Sequence, residues 1–187
     1  MSQSRNTLVR SMHDLGAAAW FGGSLAGAIG INGAASDIED PAERAKIASN
    51  GWARWSPVNA AAIGAHALGG LGLILANRGR VRDQAGVTSN TIVKTAITGV
   101  AMATTAYSGI LGSRIAAADD ATSAGATNPS ADTPGDVAAA QRQLNVLQWV
   151  NPALTALIVV LGAQQGEQQR PKEQKAGKMK KALQRTS

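Results

Sequence analysis

The stretch Gln143–Gly166 reads QLNVLQWVNPALTALIVVLGAQQG and contains no Asp, Glu, Lys or Arg over 24 residues. A bilayer has a hydrocarbon core about 30 Å thick, which a helix of roughly 20 residues crosses. A helix at the surface of a soluble protein needs a polar face that carries charges every three or four residues. Because this stretch has no such face, it predicts a transmembrane helix.

Three further stretches of similar length also lack charge, namely Leu15–Ser36, Trp55–Asn77 and Thr95–Ser113, of 22, 23 and 19 residues. They are rich in Ala, Gly, Ser and Thr, which suit helices packed against other helices in a membrane. The sequence therefore predicts an all-α fold, a four-transmembrane-helix bundle over residues 1–166. The alternative is a soluble bundle whose helices are fully buried.

Tryptophan and proline mark the edges of these runs. Trp20, Trp52, Trp55 and Trp149 lie in or beside the runs, where interfacial aromatic residues are common. Pro57 follows the start of the second run, a position near a helix N-terminus where proline is tolerated. We expect the second helix to begin there.

The charges between the runs are distributed unequally. The N-terminal arm, the second loop and the C-terminal tail carry thirteen Lys or Arg residues, including Lys94, against five in the first and third loops. Cytoplasmic segments carry the excess of positive charge in membrane proteins. The count predicts a protein of the bacterial inner membrane with both termini in the cytoplasm. A cleaved signal peptide ending near Ser36 is the rival interpretation of the first run.

Short similarities link the two halves of the chain. Phe21–Gly27 aligns without gaps on Tyr107–Ser113, and Trp55-Ser56-Pro57 resembles Trp149-Val150-Asn151-Pro152 with one residue inserted. This pattern suggests two parallel helical-hairpin repeats. Glycines with helical spacing suggest close helix packing, within the bundle or between copies. They are Gly23, Gly27 and Gly30 on the first span and Gly109 and Gly112 on the third.

Polar residues inside the runs are the candidate functional residues, because polar groups are costly in lipid. The candidate intramembrane site consists of His66, Asn59, Asn151, Tyr107 and Ser108. His66 lies near the middle of its span, where it suits a proton path, a quinone contact or a haem ligand, or simply a hydrogen bond to a neighbouring helix.

A second pair, His13 and Asp14, lies at the expected cytoplasmic edge of the first span. Asp14 is explained by a favourable interaction with the helix dipole. We expect His13 and His66 to differ in depth by about 15 Å, at 1.5 Å of rise per residue, which argues against a bis-histidine haem site.

Signatures of enzymes are absent from the sequence. There is no cysteine, no phosphate loop, no G-x-S-x-G and no H-E-x-x-H motif. No cofactor or metal is predicted, with quinone or haem as remote alternatives. The absence of these motifs favours a non-catalytic protein.

The connecting segments differ in character. Asp40-Pro41 predicts the capped start of a short surface helix in the first loop, and residues 115–141 predict a mobile extracytoplasmic loop. The basic tail, residues 167–187, is expected to lie on anionic lipid head groups. Nucleic-acid binding is disfavoured because the tail lacks interleaved aromatic residues.

The segments His13–Gly16, Trp20–Leu25 and Trp52–Pro57 resemble small uncharacterised membrane proteins of high-GC actinobacteria. A fainter similarity is to four-helix DoxX-like or anthrone-oxygenase-like membrane proteins. The resemblance implies a membrane location and no particular activity.

Three functions stay open. The leading hypothesis is a non-catalytic accessory or scaffold subunit of a larger membrane complex, which binds other membrane protein subunits or a second copy of itself. The second is a pathway for a small solute or proton between the two hairpins, lined by His66 and Asn59. The third is a quinone-binding or redox membrane enzyme.

Overall fold

A computed structural model describes residues 6–79, 85–118, 122–167, 170, 174–176, 179 and 183. The first helix, α1 (Thr7–Ala26), continues through a π-helical turn (Gly27–Ile31) into α2 (Asn32–Ser36). The other long helices are α3 (Pro41–Ala76), α4 (Ala85–Ala116) and α5 (Gly135–Glu167). Two short antiparallel strands, β1 (Ser123–Gly125) and β2 (Asn128–Pro129), connect α4 to α5. Most of the basic tail lies outside the described residues.

Each of the four uncharged runs lies on one helical segment of the chain. The helical class of the fold is therefore confirmed. Two of the helices, α3 and α5, are long and apolar enough to cross a membrane.

The start of α3 differs from the prediction. Asp40 caps the helix by accepting a hydrogen bond from the backbone N–H of Ala42 at 2.9 Å, and Pro41 occupies the first turn. The cap was predicted correctly, but the helix that it starts is not short. Within it, Gly51 costs only about 1 kcal/mol relative to alanine and does not stop the helix. Pro57 therefore lies inside α3 instead of opening it.

The helices pair as two hairpins. α1 packs along α3 and α4 packs along α5, while α1 also contacts α5. By contrast, α3 and α4 meet over few residues, and we call the space between them the α3–α4 seam. The end of the bundle where α1 begins and α5 ends is called the terminus end, and the opposite end is called the sheet end.

A central layer of apolar side chains joins all four long helices. Trp20 is 0% exposed and packs with three other buried residues, and partly buried side chains complete the layer. The members are Ala17, Trp20, Ile63, Ile97, Ala101, Leu154 and Ile158. The expectation that Trp20 is interfacial was therefore wrong, whereas the side chain of Trp149 is 51% exposed.

The segment between α4 and α5 is ordered over its described part, which corrects the prediction of a mobile loop. Gln141 is 0% exposed, and its amide donates to Ser123 Oγ at 2.8 Å. Arg44 of α3 donates to the backbone oxygens of Ser123 and Ala124. Small polar residues thus close the sheet end through hydrogen bonds, a form of order that composition does not reveal.

Large apolar side chains point outward from every long helix. Examples are Leu15 on α1, Leu68 and Leu75 on α3, Ile92 and Val100 on α4, and Val146 and Val160 on α5, each at least 52% exposed. Exposed apolar side chains thus occur on all four long helices of the bundle.

Candidate functional site

Two histidines form a reciprocal pair between α1 and α3. The rings of His13 and His66 are stacked, with centroids 4.0 Å apart and planes inclined by 19°. Nδ1 of each ring donates to the backbone oxygen of the other residue, at 2.9 Å in both cases. A carbonyl oxygen can only accept, so Nδ1 carries the hydrogen in both rings and each Nε2 of the neutral ring offers a lone pair.

Two glycines allow the helices to approach this closely. A Cβ at Gly16 would lie 2.5 Å from the backbone oxygen of Ala62, and one at Gly69 would lie 2.5 Å from the backbone nitrogen of His13. Each glycine follows its histidine by three residues, in His13-Asp14-Leu15-Gly16 and His66-Ala67-Leu68-Gly69. This repeated H-x-L-G pattern is the sequence signal that could have predicted the pair.

The expected difference in depth between His13 and His66 was wrong. The starts of the uncharged runs do not mark equal depths, because α1 begins before its run. It is shifted along α3 so that His13 lies against Gly69. The orientation of the two rings, rather than a difference in depth, argues against a bis-histidine haem site. The Nε2 lone pairs lie in nearly parallel planes about 4 Å apart, so they do not converge on one metal at a bond length of about 2 Å. Within the described residues, no group of three or more potential ligands could hold a metal ion.

Lys94 extends the pair to the second hairpin. Its Nζ lies 2.7 Å from Nε2 of His13, and the residue is only 7% exposed. A Cβ at Gly162 would lie 3.1 Å from the same Nζ, so Lys94 also reaches α5. Lys94 was predicted to be a loop charge, but it lies inside α4, because this helix begins at Ala85, before the uncharged run.

These side chains border a cavity of about 280 Å³ at the terminus end, which we call the histidine cavity. Its charged lining residues are Arg10, Asp14 and Lys94, and its polar lining includes Thr91 and Gln165. Leu71, Ile74 and Val87 supply an apolar wall. The cavity therefore combines a cationic part and an apolar part within one small volume.

A larger cavity of about 790 Å³ occupies the α3–α4 seam towards the sheet end, and we call it the seam cavity. Asn59, Ser108 and Asn151 of the predicted polar site all line it. The amide of Asn151 donates to Ser108 Oγ at 3.0 Å, and Ser108 Oγ donates to the backbone oxygen of Thr104. The side-chain oxygens of Asn59 and Asn151 are buried without a hydrogen-bond partner in the described part of the chain.

The other two predicted polar residues lie elsewhere. His66 lines the histidine cavity. Tyr107 is 42% exposed, and its hydroxyl donates to the side-chain oxygen of Gln143. Asp14 is exposed and lines the histidine cavity beside His13. The candidate site predicted from sequence is thus divided between two cavities and the outer surface.

The predicted packing glycines also divide. A Cβ at Gly23 would overlap the indole of Trp55, and one at Gly27 would overlap the indole of Trp52. These two glycines accommodate rings rather than a backbone. Among the described residues, no contact lies within 4 Å of a Cβ at Gly30, Gly109 or Gly112. The last two of these glycines line the seam cavity.

The central layer separates the two cavities. On α4 the histidine cavity is lined as far as Thr98 and the seam cavity begins at Met102, with the buried Ala101 between them. On the α1 side the layer is fixed by Trp20, whose indole N–H donates to Thr105 Oγ1 at 3.2 Å. Two cavities therefore lie in line along the bundle, one on each side of a single apolar layer.

No family model matches the chain, and no curated protein or solved structure matches it either.

Proposed function

We propose that this protein spans a membrane with four helices and that the α3–α4 seam is a pathway for a small solute. The membrane part of the proposal is supported by four long uncharged runs and by the apolar side chains that face outward on every long helix. The charge distribution supports both termini in the cytoplasm, which would place the histidine cavity on the cytoplasmic side.

The observation that carries the pathway is the alignment of two cavities on one seam with the central layer between them. Transporters with internal repeats bind their solute near the midplane between two halves, and they alternate access by moving one half against the other. Here each half would be one hairpin. The sparse contact between α3 and α4 leaves that side free to open.

The chain contains no cysteine, so single cysteines can report access directly. We would place one in the histidine cavity at Thr98 and one in the seam cavity at Gly109, where no described atom lies within 4 Å of a Cβ. A small membrane-impermeant methanethiosulfonate reagent is then added to either face of oriented vesicles. We expect Thr98→Cys to react from the cytoplasmic face and Gly109→Cys from the opposite face. Reaction of both from the same face, or of neither, contradicts the pathway.

A separate observation favours the accessory-subunit hypothesis as the second candidate. Gly22, Ala26 and Gly30 lie four residues apart and are exposed on the outside of α1 and its π-helical turn. Small residues with this spacing let helices of different chains approach closely. Replacing Ala26 by leucine would crowd this surface. It should therefore reduce the amount of partner protein that co-purifies with the chain after mild detergent extraction. Purification of the unchanged chain as a free monomer would contradict this candidate.

A further inference from the structure

We infer that the histidine cavity binds a small organic anion, with Lys94 as its anchor. The inference deepens the proposed function, on which it rests for the role of the anion as the solute. Binding and passage are nevertheless measured separately, so that each can fail without the other.

Lys94 is a buried cation that no carboxylate of the described residues contacts directly. Its Nζ donates to the neutral Nε2 of His13 at 2.7 Å, and the residue is only 7% exposed. No carboxylate lies within 4.0 Å of Nζ in the parts of the chain that the structure describes. An ammonium has three donors and a large desolvation cost when it is buried, which an anion in direct contact would offset.

The remaining charges around the cavity leave it positive. Arg10 adds one positive charge and Asp14 adds one negative charge, so with Lys94 the lining carries a net charge of +1. Asp14 is exposed and attracts the Lys94 ammonium from a distance, but the two groups do not form a direct ion pair. Thr91 and Thr95 add hydroxyl groups to the lining, and the hydroxyl of Thr91 donates to the backbone oxygen of Val87.

The size and the apolar wall limit the ligand further. A volume of about 280 Å³ lies just below the usual range for ligand sites, about 300–1,000 Å³. At the roughly 30 Å³ that a water-sized group takes up in a liquid, it accommodates about ten non-hydrogen atoms. A monocarboxylate with a small apolar body fits these limits, with the carboxylate on Lys94 and the body against Leu71 and Ile74.

Benzoate and its neutral isostere benzamide test the inference on the unchanged full-length chain in a neutral detergent. Calorimetric titration should show benzoate binding, with benzamide weaker by at least about tenfold, because a charge-assisted hydrogen bond is replaced by a neutral one. Equal binding of the two probes, or binding of neither, would overturn the inference.

Substitutions of lysine residues test whether the charge of Lys94 causes the preference for benzoate over benzamide. Lys94→Met should lose the preference for benzoate over benzamide, whereas Lys94→Arg keeps the charge and should keep the preference. Lys175→Met is the matched control, since Lys175 is exposed in the tail. An unchanged preference in Lys94→Met would overturn the assignment. If Lys94→Met does not fold, the comparison of the two probes on the unchanged chain still decides.

Failure of benzoate to bind while Thr98→Cys and Gly109→Cys react from opposite faces would reject the anion and keep the pathway. Benzoate binding with both cysteines reactive from one face would reject the pathway and keep the anion site.

Discussion

Replacing Gly69 by alanine should separate α1 from α3. A Cβ there would lie 2.5 Å from the backbone nitrogen of His13 and 2.7 Å from the backbone oxygen of Val9. Both neighbours are helix backbone, which cannot rotate away as a side chain does. Ordinary contact requires roughly 1 Å more, so the helices must move apart along the whole histidine pair.

The magnitude follows from what this movement breaks. Overpacking costs about 1–3 kcal/mol, and loss of the two hydrogen bonds between His13 and His66 adds about 1–3 kcal/mol. The better helix propensity of alanine returns about 1 kcal/mol. The net loss is therefore about 1–5 kcal/mol, and for a chain of this size each kcal/mol lowers the melting temperature by about 2–4 °C.

Thermal unfolding in detergent, followed by circular dichroism, measures this loss. Gly64→Ala is the matched control, because it lies on the same helix and no described atom lies within 4 Å of a Cβ there. We expect Gly64→Ala to be as stable as the unchanged chain or slightly more stable. If Gly69→Ala melts together with Gly64→Ala, the close approach of α1 and α3 is incorrect.

Three further predictions concern the central layer, the seam cavity and the sheet end. Trp20→Ala should lose about 3–5 kcal/mol of stability and make a cysteine in the histidine cavity reactive from both faces, whereas Trp149→Ala, at a position 51% exposed, should do neither. If the cysteine still reacts from one face only in Trp20→Ala, the central layer is not the barrier between the cavities. Gly109→Leu should fill part of the seam cavity with little loss of stability and should slow labelling at its other lining positions. A large drop in melting temperature would mean that this space is already occupied. Gln141→Ala removes the buried amide that holds the strands and should speed proteolysis between residues 122 and 134, compared with Gln143→Ala. An equal rate in both variants would contradict the ordered segment between α4 and α5.

The sequence predicted the helices well because the absence of charge over a long run is a local property. It also selected Asn59, Ser108 and Asn151, which line one cavity, since polar residues in apolar runs tend to face the interior. These inferences needed no knowledge of how one helix is shifted along another.

The histidine cavity depended on that shift. His13 and Lys94 lie just before their uncharged runs, and the edges of those runs gave no measure of where the helices begin. Similarly, the pattern Gly23-x-x-x-Gly27 predicted close approach but not its partner, which is a pair of indole rings on α3. Contacts between elements set these details, and local composition carries little information about them.

The histidine pair holds α1 and α3 together tightly, whereas Lys94 connects the two hairpins more loosely. Two hydrogen bonds and a ring stack fasten α1 to α3 within one hairpin, so that hairpin should rotate as a single body. Within the described residues, the other hairpin reaches this pair through the long and flexible side chain of Lys94. In the proposed pathway, such a tether would lengthen or swing as one hairpin moves against the other, and the tightly fitted contact between α1 and α3 would stay intact.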